Sequence, residues 1–335
     1  MTTTRLGYLL PTRDRAVHGD SELAPLIDLA TRAERLGFDS VWAGDSPITR
    51  PRADPLLVLA AAAAVTHRVQ LGTAVLLAAL RHPILLAHQL ATLDRLSDGR
   101  LIAGMGAGFP HRNTAAQFAA LGVDFDRRTT RLTESIEVMR RLWTEREVAY
   151  QGRHFDFRDV TVAPRPARPG GPPVWLAGSG PALRRVARVA DGWLPYPPSP
   201  ATYAEELATV RRLTPALYAT VCVDSDPERG RARLRASIER YYNASLERVE
   251  TVQATFAGSA AATAGWLRSY TEAGARHIVV RFAVDDHAEA LDQFADQVLP
   301  ALRVGSTPGH PDPGVPTTPT QSAENPDSRE EVRTR

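Results

Sequence analysis

The sequence predicts an α/β fold, a closed (β/α)8 TIM barrel with insertions at its C-terminal mouth. Short apolar runs alternate eight times with helix-like stretches, and nearly every run is apolar throughout rather than at alternate positions. The turn after the first run, Leu10-Pro11-Thr12, also lacks the glycines that an open, doubly wound sheet would usually carry there.

Leu6–Leu10 reads as the first strand. A helix follows from about Ser21, which reads as its N-cap, with Leu26, Leu29, Ala30, Ala33 and Leu36 at helical spacing before Gly37. Phe38–Ala43 is the second strand, Pro55–Val65 an Ala-rich helix and Val69–Leu77 the third strand. A helix over Pro83–Leu96 opens on proline and closes before Asp98-Gly99, and Arg100–Met105 is the fourth strand. The fifth strand comes late. Helices at about Asn113–Leu121 and Arg127–Thr144 intervene, then a hairpin, Val148–Phe157, turning at Gln151-Gly152, and a connector with five prolines between Pro164 and Pro173. Val174–Ala177, Gly192–Leu194, Leu217–Val223 and His277–Phe282 complete the eight strands. The helices among them are Pro181–Ala190, Pro227–Tyr242 and Ala260–Ala273, and a last helix spans His287 to Leu302. The barrel domain is thus expected over 1–304. Beyond Gly305, Pro, Thr, Ser and Glu dominate without periodic apolar residues, as expected of a disordered tail over 305–335.

Composition narrows the chemistry. A net charge of +2 does not suggest a nucleic-acid or anionic-membrane partner. All 40 residues counted as Lys or Arg are Arg, which removes Schiff-base catalysis by a lysine amine. Cys222 is the single cysteine, so a cysteine-rich zinc site and an intrachain disulfide are excluded, and the histidines show no metal-binding spacing. Met1–Arg5 has no signal-peptide character, and the longest apolar run, Pro55–Val65, is too short to span a bilayer. A cytoplasmic protein is expected.

In such a barrel, functional groups sit at the C-terminal ends of the strands. That rule selects Asp45 and Ser46, Ala74 and Val75, Gly106 to Arg112, Gly178 to Pro181, Pro195 and Tyr196, and Arg281. The Gly178-Ser179-Gly180-Pro181 turn could present backbone N–H groups, a hydroxyl and a helix N-terminus to a phosphate, or could be an ordinary cap. Gly104, Gly106 and Gly108 mark a tight turn or room for a flat ligand. Asp45 could orient a ligand or cap the next segment. His111 could act as an acid/base beside the anion clamp Arg112, or both could be solvated.

The segments Ala33–Asp45 (AERLGFDSVWAGD), Arg68–Pro83 (RVQLGTAVLLAALRHP) and Leu90–Gly108 (LATLDRLSDGRLIAGMGAG) resemble the luciferase-like monooxygenase family. So do Leu132–Trp143, PVWLAG at Pro173–Gly178, ADGW at Ala190–Trp193, and Thr271–Val280, so the resemblance covers about Arg5 to Leu302. It implies an oxidoreductase that holds reduced FMN or coenzyme F420 at the mouth and acts on a small organic substrate. The reaction would be a monooxygenation or, with F420, hydride transfer; a flavin-binding protein without turnover is a further possibility. It also implies a cofactor ring on Gly72, Thr73, Ala74 and Val75, with a cis peptide at Ala74–Val75. Gly106 and Ala107 would pass under the ring, and Gly178, Ser179 and Gly180 would hold the cofactor phosphate. A homodimer and a separate flavin or F420 reductase are the implied partners. Three positions depart from the family: Ser46 follows Asp45 where many relatives carry His, and Ala107 replaces the phosphate-binding Arg of luciferase. Phe109 stands where F420-dependent sugar dehydrogenases place a Glu, which argues against sugar-phosphate oxidation. The acid/base is thus unassigned, with His111 the best candidate and Asp45 the other residue expected at the catalytic site.

Overall fold

The structure, a computed structural model, describes residues 4–303, and the Pro/Thr/Ser-rich segment over 305–335 lies outside the described residues. The chain begins with β1 (Arg5–Leu9), a short α1 (Thr12–Val17), α2 (Ala24–Arg35), β2 (Ser40–Ala43) and α3 (Pro55–Val65). β3 (Gln70–Thr73), α4 (Pro83–Leu96) and β4 (Leu101–Met105) follow, then α5 (Arg112–Ala120) and α6 (Arg128–Thr144). A hairpin of β5 (Val148–Gln151) and β6 (Asp156–Val160) leads to β7 (Val174–Leu176), α7 (Leu183–Val189) and β8 (Gly192–Trp193). Next come α8 (Pro200–Val210), β9 (Thr214–Val223), α9 (Pro227–Tyr242), α10 (Leu246–Glu250) and β10 (Thr255–Gly258). The described chain ends with α11 (Ala260–Glu272), β11 (His277–Phe282), α12 (His287–Gln297) and α13 (Leu299–Arg303).

β1, β2, β3, β4, β7, β8, β9 and β11 pair in parallel in that order, and β11 returns to β1. The barrel closes with eight strands, as the alternating pattern predicts. Its strands read as unbroken apolar runs because one face meets the barrel interior and the other the helices; β2, β4 and β11 are buried at every position. Four elements, α10 among them, have no counterpart in the sequence reading. α1 follows directly on Pro11, α8 is capped by the Ser199 hydroxyl, and β10 pairs with the outer end of β9, Thr255 opposite Thr220 through Gly258 opposite Val223. The expected cap Ser21 is not one: α2 starts at Ala24, and the residue before it, Leu23, makes no side-chain cap. Among the described residues, no helix is long and apolar enough to cross a membrane.

Below the mouth, the barrel is filled by aromatic rings. The Trp42 and Trp175 rings lie 5.5 Å apart, and the His277 imidazole packs edge-on against both, at 5.6 and 5.2 Å. Ser40 joins the group, with its hydroxyl 2.7 Å from His277 Nε2 and accepting from Trp42 Nε1 at 2.7 Å. Glycine leaves space for these rings: a Cβ at Gly72 would lie 2.1 Å from the Trp42 ring, and one at Gly192 would lie 2.3 Å from Trp175. At Gly72, which the resemblance assigns to the cofactor, the missing Cβ leaves room for Trp42.

Burial leaves two histidines uncharged. It pushes His277 down to about 3 and His287, whose Nδ1 lies 3.0 Å from the Tyr8 hydroxyl, down to about 4. In the unfolded chain both take up protons near pH 6.5. Stability is expected to be full above that pH and to fall toward pH 4, by about 2 kcal/mol per histidine at pH 5. Urea unfolding at pH 7.5 and pH 5 measures it, and His287→Gln should remove part of the loss. Equal stability at the two pH values contradicts the burial of these rings as neutral species.

Candidate active site

The mouth is shaped first by an interruption in β3. Ala74 N–H donates to Ala43 O on the β2 side, whereas Leu76 N–H donates to Gly104 O on the β4 side, so Ala74 and Val75 step out of the ladder between them. The Ala74–Val75 peptide is cis, as the resemblance implies. Both residues are half-buried at the mouth end of a strand that is otherwise largely buried, and they rest on the interior cluster of Trp42, Ile102 and Trp175. Thr73 faces elsewhere: it is buried and its hydroxyl donates to Gly104 O at 2.6 Å. A Cβ at Gly106 would lie 2.6 Å from Val75 Cγ2, so glycine there keeps the bulge seated. Ala74, Val75, Gly106 and the half-buried Ala107 form one small-residue ledge, while Gly72 and Thr73 lie beneath it.

The strand-five turn lies after β7. Gly180 sits at φ +55°, where a Cβ would meet open space, and Gly178 O accepts from Trp193 Nε1 at 2.8 Å. Ser179 precedes a single 3-10 turn and makes no cap bond. Gly180 N–H is already engaged, donating to Glu206 Oε1 of α8 at 2.7 Å. Arginines supply the opposite charge. Arg185, on the helix after the turn, is held below its usual range by burial and by the nearby charges of Arg128 and Arg188. The Nε atoms of Arg185 and Arg128 are buried without partners.

Both acid/base candidates are engaged in hydrogen bonds within the fold. Asp45 is nearly enclosed, with its side chain 3% exposed. It accepts from Leu77 N–H at 2.9 Å and forms a two-point pair with Arg81, at 2.5 and 3.2 Å. These bonds tie the end of β2 to the chain leaving the bulge. His111 is exposed, and its Nδ1 caps α5 by accepting from Asn113 N–H at 3.2 Å. Asp45→Asn is expected to cost about 2 kcal/mol by weakening the bonds that the enclosed carboxylate makes with Arg81 and Leu77 N–H, whereas His111→Ala should change stability little. Thermal unfolding measures both, and an Asp45→Asn protein as stable as the parent would return Asp45 to a chemical role.

Ser46 anchors the loop after β2 instead. Its hydroxyl donates to Gln117 Oε1 of α5 at 3.2 Å, and the same oxygen accepts from Ile48 and Thr49 N–H. The loops after β2 and β4 are thereby joined over the mouth, with Ile48 and Phe109 exposed on them.

On the opposite side of the mouth stands a group that the sequence reading reached only through Arg281 and Tyr196. Arg281 on β11 is fully buried, bonded to Asp14 Oδ1 at 2.6 Å and Ser237 Oγ at 2.8 Å, with its guanidinium 3.9 Å from the Tyr241 ring centre. Burial pushes the Asp14 carboxyl up, and Arg281 together with the nearby His287 and Arg52 outweighs it, so the net shift is downward. Arg13 of α1 and Arg52 of the β2–α3 loop each lie 5.4 Å from the same ring centre, and Arg50 lies 5.5 Å from that of Tyr242. No local motif marks these residues, because α1, the loop and the end of α9 meet only in the fold. A hollow of about 390 Å³ lies between Asp224 and α12, and one of about 730 Å³, lined in part by Asp14, lies between α1, α2 and α12.

Residues 4–303 match the family model of luciferase-like monooxygenases. The chain is 31% identical over 317 residues to an F420-dependent glucose-6-phosphate dehydrogenase of Intrasporangium calvum, covering 83% of this chain and 94% of that protein. It is 30% identical over 318 residues to the protein of that name from Amycolatopsis mediterranei, covering 83% and 94%. Among solved structures, a monooxygenase from Streptomyces bottropensis superposes with a TM-score of 0.74 at 24% identity, over 88% of this chain and 99% of that one. An F420-dependent secondary alcohol dehydrogenase bound to an F420–acetone adduct gives 0.73 at 20% identity, over 90% and 100%.

Proposed function

We propose, for a chain that belongs to the luciferase-like monooxygenase family, that it is an F420-dependent oxidoreductase transferring hydride to or from a small organic substrate. The observation that carries the choice of F420 over FMN is the arginine group of Arg185 and Arg188 on the helix that follows the Gly178–Gly180 turn, with Arg128 close enough to act on the Arg185 charge and the Nε atoms of Arg128 and Arg185 buried without partners. A single phosphate needs fewer cations than a coenzyme whose phosphodiester continues into carboxylates. The residues fit such a group: Gly178, Ser179, Gly180, Arg128 and Arg185 would hold its phosphate, and Ala74, Val75, Gly106 and Ala107 its ring. When bound, F420 supplies a ring carbon that exchanges hydride and does not activate oxygen as flavin does. The protein supplies position and dryness. The ledge leaves one ring face toward the mouth, and the Gln117-tied loops limit water over it.

Glucose 6-phosphate does not transfer to this chain in the proposal, since Ser46 anchors a loop and Phe109 is apolar where the sugar-specific subgroup carries its acid/base residues. The proposal also includes a cytoplasmic homodimer and a separate F420 reductase that recharges the cofactor.

Fluorescence titration with F420 and FMN tests the reading. F420 is expected to bind at least about tenfold tighter, and Arg185→Gln should narrow that difference. FMN binding equally or more tightly moves the assignment to flavin and oxygen insertion. Glu206 provides a further check, because its carboxylate occupies the Gly180 N–H where the phosphate is proposed to sit. Glu206→Gln is expected to tighten F420 on the order of fivefold, or about 1 kcal/mol, in the same titration; weaker binding would count against a phosphate at this turn.

A further inference from the structure

We propose that the substrate carries an oxyanion, a carboxylate or a phosphate, which docks on Arg13 and Arg52 across the mouth from the ledge. The positive charge here is not neutralised from within. The carboxylate of the group, Asp14, is taken by Arg281, and among the described residues Arg13, Arg50 and Arg52 form no ion pair. Arg13 is 7% exposed; its Nε is spent on the Tyr241 carbonyl at 2.7 Å, while Nη1 is buried with no partner. Burial, with Arg52 next in weight, pushes Arg13 down to about 10, so a bound anion would relieve both the desolvation and the mutual repulsion. A buried cation without a counterion is costly unless something arrives to pair with it.

Arg52 sets the direction. A Cβ added to Gly44 would lie 2.4 Å from Arg52 Nη1 and 3.4 Å from the Ala74 carbonyl, so this guanidinium stands beside the bulge. Arg52 Nη1 also donates to the Tyr241 hydroxyl at 3.0 Å, which fixes its orientation. An acid held there extends its organic part toward Ala74 and Val75, with Tyr241 and Tyr242 as walls. That direction rests on the ledge being the cofactor face; the anion site itself does not.

Calorimetric titration with inorganic phosphate and with benzoate tests it, on the cofactor-free protein and on protein saturated with F420. At least one probe is expected to bind saturably in both states, and Arg52→Gln should weaken it by about tenfold, the loss of one charge-assisted bond. Phosphate alone, or benzoate alone, identifies which acid the site takes and supports the proposal either way. No saturable binding of either probe, or binding unchanged in Arg52→Gln, overturns it. Arg52 is partly exposed, so its variant should fold; Arg13→Gln, with the unfolding midpoint monitored, gives the second arm. F420 affinity should change less than about threefold in Arg52→Gln. A protein that binds a probe through Arg52 but never binds F420 keeps this inference and loses the cofactor reading; the reverse pattern does the opposite.

Discussion

Replacing Arg281 with methionine is expected to cost about 3–5 kcal/mol, because it strands Asp14 as a buried carboxylate without its cation. The two side chains are 1% and 11% exposed, so little water is present to replace the lost partner. For a chain of this size the loss lowers the melting temperature by roughly 5–8 °C. Much of it is the penalty of the orphaned charge rather than the worth of the pair. Asp14→Leu combined with Arg281→Met should therefore recover a large part of the stability. Thermal and urea unfolding of the two single variants and the double variant measure the coupling. Additive losses would mean that Asp14 and Arg281 do not act as a pair. Arg281 also packs on the ring of Tyr241, whose carbonyl holds Arg13 and whose hydroxyl holds Arg52, so its loss should disturb the anion site as well.

Gly104→Ala is the second large effect. A Cβ at that position would lie 1.9 Å from the Thr73 carbonyl oxygen and 3.2 Å from its carbon, and backbone cannot swing aside as a side chain does. Overpacking of this kind costs about 3 kcal/mol or more. The strand-three interruption would have to shift, because Gly104 O receives both the Thr73 hydroxyl and Leu76 N–H. F420 affinity should fall together with stability. Gly180→Ala makes the contrast: its Cβ meets open space, and only the φ of +55° opposes the substitution, for about 1–2 kcal/mol. Unfolding midpoints and F420 titrations of the two variants separate these cases. A Gly104→Ala protein with parental stability would contradict the close approach of β3 and β4.

The eight barrel strands were legible because nearly all of their residues are buried on both faces, so that most of them appear as largely apolar runs. β10 was not, since Thr255–Gly258 becomes a strand only by pairing with the outer end of β9. α1 hid behind Pro11, in a stretch with too few apolar residues to show a periodicity. The glycine turn after β7 was legible from its own four residues, because local backbone freedom is written locally. Gly72 was not: what its missing Cβ accommodates is Trp42, from the neighbouring strand. Asp45 was found by its place at a strand end, but its partner Arg81 lies 36 residues further along, and that pair is what accounts for its side chain. The arginines facing Tyr241 come from α1, the β2–α3 loop and β11, and only Arg281 stood where the strand-end rule looks.

The most direct measurement is a crystal structure of the protein with F420. The expected result places the deazaflavin ring on Ala74, Val75 and Gly106, and the phosphodiester at Gly178–Gly180 within reach of Arg128 or Arg185. Glu206 should be displaced from Gly180 N–H, and the free ring face should look toward Arg52. A ring bound elsewhere in the mouth, or a phosphodiester seated on Arg13 and Arg52, would contradict the division of the mouth into a cofactor side and a substrate side.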